Sequence, residues 1–185
     1  MCDMAPGSRH ENPGRVYDLP PEETMFAPRD EGGGSSDPRL ARLYEPHVEP
    51  LTRLISVIRD RAGGQTVPNV DPNDGGINAP ALFLLESPGP KAAWTDFVSR
   101  DNPDPSARNM TCALRQAEFT REQTLLWNVV PQCVSTPEKN RNATRLQVRR
   151  AVPDTEAFVA ALRVLRVIVF CGRRAQWQRS MLTLI

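Results

Sequence analysis

The sequence predicts a three-layer α/β fold, in which helices cover both faces of a short parallel sheet. Three apolar runs carry this prediction, because each ends abruptly in a polar or glycine-containing turn; they lie in residues 81–90, 124–131 and 167–172. The segments between them place apolar residues three and four apart, as amphipathic helices do. Short apolar strands that alternate with helices are typical of a parallel sheet buried on both faces. Such sheets bind ligands at the carboxyl ends of their strands.

The start of the chain is not expected to join the core. Residues 1–36 are rich in Pro, Gly, Ser and charge, so we expect a disordered segment there and a single domain over residues 37–185. Asp37 and Pro38 then supply a helix cap and a proline at the first helical position. A stripe of apolar residues predicts an amphipathic helix just downstream: Leu51, Leu54, Ile55 and Ile58. Residues 67–80 are dense in Asn, Asp, Pro and Gly and are predicted to be a loop.

The remaining elements follow from the same signals. The apolar runs predict strands over residues 81–86, 124–130 and 167–170. Helices are predicted between and after them: residues 106–119 with Ser106 as the cap, a helix that starts at Pro153, and a last helix from Gly172 through Met181.

Composition excludes several classes of protein. No apolar run is long enough to cross a membrane, and the first residues do not resemble a signal peptide, so we expect a monomeric cytoplasmic protein without a membrane partner. The four cysteines are scattered and only two histidines accompany them, which predicts neither a metal site nor a disulfide framework. No cofactor is expected. A nucleotide-binding α/β protein remains an alternative, although no glycine-rich phosphate loop follows any strand.

The net charge of +1 says little about partners, but the charge is unevenly distributed. Five basic residues occur between positions 139 and 150 without an acidic residue among them: Lys139, Arg141, Arg145, Arg149 and Arg150. A basic loop next to a pocket suits the phosphate backbone of a nucleic acid. The alternative is an arginine-rich loop that is simply solvated.

Four motifs in this order resemble the uracil-DNA glycosylase superfamily, and in particular its bacterial members. The resemblance covers about residues 40–182 and rests on Leu84–Pro90, Phe97–Asn109, Trp127–Pro131 and Val167–Gln176. It implies an enzyme that extrudes uracil or another deaminated base from DNA and hydrolyses the bond between base and sugar.

The resemblance also implies roles for individual residues. Asn128 matches the asparagine that recognises the base, since its amide offers both a donor and an acceptor; the alternative is an Asn that closes a strand. Phe97 is the ring expected to stack on the extruded base, and Trp94 is a second candidate. Phe83, within a strand, is expected in the core.

Glu86 and Ser87 stand where the superfamily positions the attacking water. Members differ in the residue that does this, so both are candidate catalytic residues. Ser87 cannot itself act as a base near neutral pH. Glu86 has an alternative role as a carboxylate that caps a neighbouring turn.

Two departures from the family pattern affect these expectations. The chain lacks the close cysteine pair of the iron–sulfur members, so no cluster is expected. The last motif, a histidine before a Pro-Ser turn at the end of a fourth strand, does not occur in the 185 residues. This predicts a less stable domain without its last strand and catalysis impaired by about 3–4 kcal/mol. The alternative function is a non-catalytic, nucleic-acid-binding relic of the fold.

Overall fold

The protein forms an α/β fold with parallel strands, which confirms the predicted class. The computed structural model describes residues 37–136, 139 and 141–183; the segment predicted to be disordered, residues 1–36, lies outside this range. The strands are β1 (Asn69–Val70), β2 (Ala81–Leu85), β3 (Phe97–Val98), β4 (Thr124–Asn128) and β5 (Val167–Phe170). The α-helices are α1 (Glu49–Asp60), α2 (Pro90–Thr95), α3 (Pro105–Gln116), α4 (Arg145–Arg150), α5 (Val152–Ala160) and α6 (Arg173–Arg179).

The main sheet has the order β4–β2–β5, and both pairings are parallel. Its central strand, β2, is continuously apolar because helices cover both of its faces. Trp127 projects from β4 toward α5, where its ring stacks on Phe158 with centroids 4.7 Å apart. Phe83 projects from β2 to the other face, where its ring meets Phe119 just after α3. The sheet is therefore the middle of three layers.

A second sheet pairs β1 with β3 and was not predicted. Each strand is two residues long, which is too short to show a periodic pattern in the sequence. Residues 67–80, predicted to be a loop, thus contain β1 and a 3₁₀ turn over Gly76–Asn78. Most of this segment is buried, and Ile77 donates its N–H to the carbonyl of His47 at 2.8 Å. A β-carbon on Gly75 would lie 1.9 Å from the carbonyl oxygen of Glu122, so this approach requires glycine.

Two helix predictions are corrected. The helix predicted over residues 106–119 is α3, which begins one residue earlier because Asp104, rather than Ser106, caps it by accepting the N–H of Ala107. Part of the segment predicted to be a basic loop is α4. Thr144 and Gln147 form a capping box at the start of α4, and this local signal stabilises a polar helix that lacks an apolar stripe. No helix in the described part of the chain is long and apolar enough to span a membrane.

A buried ionic network holds the two sheets together at the amino end of β4. Arg121 contacts Asp71 at 2.7 Å, Asp74 at 3.0 Å and Asp101 at 2.6 Å. Arg100 donates to the hydroxyl of Thr124, the first residue of β4. Burial is the main cause that raises the pKa of Asp74 to about 7, although Arg121 and Arg100 oppose it. Asp74 is therefore a carboxyl group that folding pushes toward its neutral form.

This shift predicts how stability depends on pH. A carboxyl group with a raised folded-state pKa stabilises the fold at low pH, and that contribution is lost as the pH rises through about 7. We expect the free energy of unfolding to fall by a few kcal/mol between pH 5 and pH 8. Asp74→Asn, which cannot ionise, should remove most of this fall in urea denaturation at each pH.

Asp101→Asn is the matched control, because Asp101 contacts the same arginine but has a side chain that is 52% exposed. Its pH dependence should follow that of the wild type. Parallel curves for wild type and Asp74→Asn would show that Asp74 ionises normally in the folded protein.

Candidate functional site

A cavity of about 460 Å³ opens at the carboxyl ends of β2 and β4. Its walls are the Pro-Gly-Pro turn after β2, the loop between β3 and α3, the start of α3, and residues 141–142 before α4. The size falls within the usual range for small-molecule sites. Its polar lining includes Glu86, Ser87, Ser99, Asn102, Asn128 and Arg141. Four of the predicted site residues thus meet in one place: Glu86, Ser87, Asn128 and Arg141.

Asn128, the last residue of β4, is the most distinctive group of the cavity. Its side chain is buried, with 3% of the residue exposed, and its Nδ2 has no hydrogen-bond partner. Four buried side-chain polar atoms lack a partner within the described residues, and Nδ2 of Asn128 is the one that belongs to a residue lining the cavity. An unsatisfied buried amide is costly, so this donor is suited to a ligand that brings an acceptor.

Glu86 ties the end of β2 to two distant segments. Its Oε1 accepts the N–H of Ala143 at 2.7 Å and lies 3.1 Å from Nε of Arg174. Arg174 also donates to the carbonyl of Ala143 at 2.9 Å. The alternative prediction was that the Glu86 carboxylate caps a turn that lies next to it. Oε1 has such a role, because it accepts the N–H of Ala143 just before α4. Oε2 makes no hydrogen bond within the described residues and is the oxygen left for a ligand or water.

Ser87 lies beside Glu86 on the turn that leads into α2. Pro90 is the first residue of α2 and Gly89 its cap, so the turn leaves the sheet along a fixed path. Ser87 lines the cavity and is partly exposed. Its hydroxyl can donate to or accept from a bound ligand.

The structure corrects the role predicted for Phe97, which was expected to stack on an extruded base. The residue is fully buried in β3, and the guanidinium of Arg39 covers its ring at 4.1 Å. Phe97 belongs to the hydrophobic core and does not line the cavity, so its ring is not placed to stack on a base in this structure. Trp94 is exposed but does not line the cavity, whose apolar lining includes Val98, Met110 and Leu126. No aromatic side chain of the described residues lines it.

Sequence reasoning missed the contribution of the loop after β3. Ser99 donates to Asp71 in the buried network, and Asn102 accepts the hydroxyl of Thr95 and donates to the carbonyl of Phe97. Both residues also line the cavity. The motif from Phe97 to Asn109 includes this loop. Its sequence, however, does not show which of its residues line the cavity and which are buried in the core. The ionic network thus stabilises one wall of the cavity from behind.

The five residues predicted to bind the DNA backbone are all exposed, but only Arg141 among them lines the cavity. Arg141 lies at its rim. Arg145 begins α4, while Arg149 and Arg150 lie in its last turn. None of the five side chains makes an ion pair with another described residue.

The cavity offers hydrogen-bonding and charged groups rather than a thiolate or a metal site in the described chain. Cys171 lines it, but burial raises the pKa of this thiol and so keeps it protonated near neutral pH. No group of three histidine, cysteine or acidic residues in the described chain is placed to hold a metal ion. The cavity therefore presents the carboxylates of Glu86 and Asp104, the cationic groups of Lys91 and Arg141, hydroxyls and the unsatisfied amide of Asn128.

Neither models of known protein families nor curated proteins show a match to this chain.

The Glu86 contact predicts a local change that does not depend on any activity. Glu86→Ala removes the acceptor of the buried Ala143 N–H, at a cost of about 1–3 kcal/mol. We expect amide hydrogen exchange in residues 141–148 to become roughly tenfold to a hundredfold faster. Glu86→Gln keeps an acceptor oxygen and should exchange almost as slowly as the wild type. Equal protection in Glu86→Ala and wild type would contradict the contact.

Proposed function

We propose that this chain is a DNA-repair glycosylase of the cytoplasm, which hydrolyses the N-glycosidic bond of uracil or another deaminated base in DNA. The observation that carries the proposal is the buried, unpaired amide of Asn128 in a cavity at the strand ends. The sequence motifs support it as well, because each of the four motifs that resemble the glycosylases contributes at least one residue to the cavity lining.

The cavity can divide the chemistry among three groups. The Nδ2 of Asn128 donates to a carbonyl on the edge of an extruded base, and such a base would satisfy the unpaired donor. Oε2 of Glu86 or the hydroxyl of Ser87 positions the water that attacks the sugar. Binding in a dehydrated cavity strengthens each of these hydrogen bonds.

A second candidate function is DNA binding without catalysis. Two observations favour it: Oε1 of Glu86 is already committed to Ala143 and Arg174, and the expected stacking ring, Phe97, is buried. Under this function, the cavity binds an extruded base but leaves it attached to the sugar.

An excision assay separates the two functions. We expect the full chain to release uracil from a labelled single strand, and Asn128→Ala to slow the release roughly tenfold to a hundredfold, as the loss of a buried hydrogen bond should. Asn109→Asp, which changes an exposed asparagine on α3, is the control and should match the wild type.

Two results would contradict the proposal, the first for Asn128 and the second for catalysis. Release by Asn128→Ala at the wild-type rate would remove Asn128 from the site. Binding of uracil-containing DNA without release of any deaminated base would favour the second candidate.

A further inference from the structure

Three arginines surround one tryptophan next to the cavity. The guanidinium carbons of Arg145, Arg174 and Arg173 lie 4.8, 5.4 and 5.9 Å from the ring centroid of Trp177. Arg145 comes from α4 and the others from α6, so the ring joins the two helices. Each contact is a cation–π interaction, which holds a flat guanidinium in place.

The charges of these arginines are not balanced. Glu86 pairs with Arg174, whereas Arg145 and Arg173 make no hydrogen bond or ion pair within the described chain. Both are exposed. A guanidinium that rests on a ring keeps the N–H donors at its edge free, and these donors match the oxygens of a phosphate. We call Arg145, Arg173 and Trp177 the arginine shelf.

The arginine shelf lies close in sequence to residues that line or contact the cavity. Ala143, two residues before Arg145, donates to Glu86 inside the cavity lining. Cys171, two residues before Arg173, lines the cavity itself. Arg149 follows Arg145 by one helical turn on the same face of α4, about 6 Å away, and extends the positive surface along this helix.

We propose that the arginine shelf binds phosphodiester groups of the DNA strand whose nucleotide enters the cavity. The choice of DNA as the anion rests on the proposed function. The charge pattern supports it, since repeated phosphates can engage a row of unpaired arginines, and Trp177 pre-orients two of them before the strand arrives.

Binding of an undamaged, fluorescein-labelled single strand, measured by anisotropy over a salt series, tests this proposal. We expect the double substitution Arg145→Gln with Arg173→Gln to weaken binding roughly tenfold at low salt. It should also reduce the slope of log K against log salt by roughly 1.4, which corresponds to two lost phosphate contacts. The control is Arg163→Gln with Arg166→Gln, an equal change of charge at exposed residues just before β5, at the other end of the sheet. It should leave the slope unchanged.

Trp177 supplies a second, independent test. Trp177→Phe retains a ring for the arginines and should bind almost as the wild type does, whereas Trp177→Leu should weaken binding although every charge remains. Thermal melting identifies any variant that fails to fold, and the arginine double variant, altered only at exposed positions, then still tests the proposal. A double variant with the affinity and salt slope of the wild type would overturn it. Poly-glutamate that binds as tightly as the strand would overturn it too, in favour of an acidic protein partner.

The test separates this proposal from the glycosylase. The chain could bind undamaged DNA through the arginine shelf and yet release no uracil. That result would support the proposed role of the shelf and reject the glycosylase activity. If the arginine double variant released uracil as fast as the wild type, the glycosylase activity would be supported and the role of the arginine shelf rejected.

Discussion

The pairing of β2 with β4 is the constraint on which the candidate site depends. Leu85 lies opposite Asn128, and the pairing continues beyond the strands because Val129 and Val130 donate to the carbonyls of Leu85 and Glu86. This register brings the polar residues that end each strand to the same height above the sheet. A slip of one residue would turn Asn128 toward α5, on the face of Trp127, and would leave the cavity without its amide.

The contact between Glu86 and Arg174 matters mainly because it positions neighbouring segments of the chain, and less for its contribution to the free energy of unfolding. Both side chains are partly exposed, and ion pairs of this kind contribute about 0–1 kcal/mol. Its effect on geometry is larger, because Glu86 also holds the N–H of Ala143 and Arg174 holds its carbonyl. One carboxylate thus aligns the end of β2, the start of α4 and the start of α6. The same group is a candidate for positioning water, so its structural and chemical roles use different oxygens.

The sequence was sufficient to predict the three strands of the main sheet, because each is a continuous apolar run that ends at a turn. Asn128, Glu86 and Ser87 could be placed in one cavity for the same reason: parallel strands end at one edge of the sheet. Phe97 could not be placed, since an aromatic residue in a short strand fits a core and a binding surface equally well, and its partner Asn69 is distant in sequence. The ion pair of Glu86 with Arg174 is equally non-local. In contrast, α4 had a local signal in the capping box of Thr144 and Gln147. The segment was nevertheless predicted to be a basic loop, because that prediction relied on its arginines.

The near-zero net charge conceals a separation of charge between the two ends of the sheet. At the amino end of β4, the buried carboxylate of Asp71 pairs with both Arg121 and Arg39. At the carboxyl end, the arginines of α4 and α6 that surround Trp177 have one paired carboxylate, that of Glu86. Because a protein's field follows the placement of its charges and not their sum, we expect the end that carries the cavity to attract anions. The carboxylate of Asp71 is buried against Arg39 and Arg121 at the amino end, and therefore does little to offset that attraction.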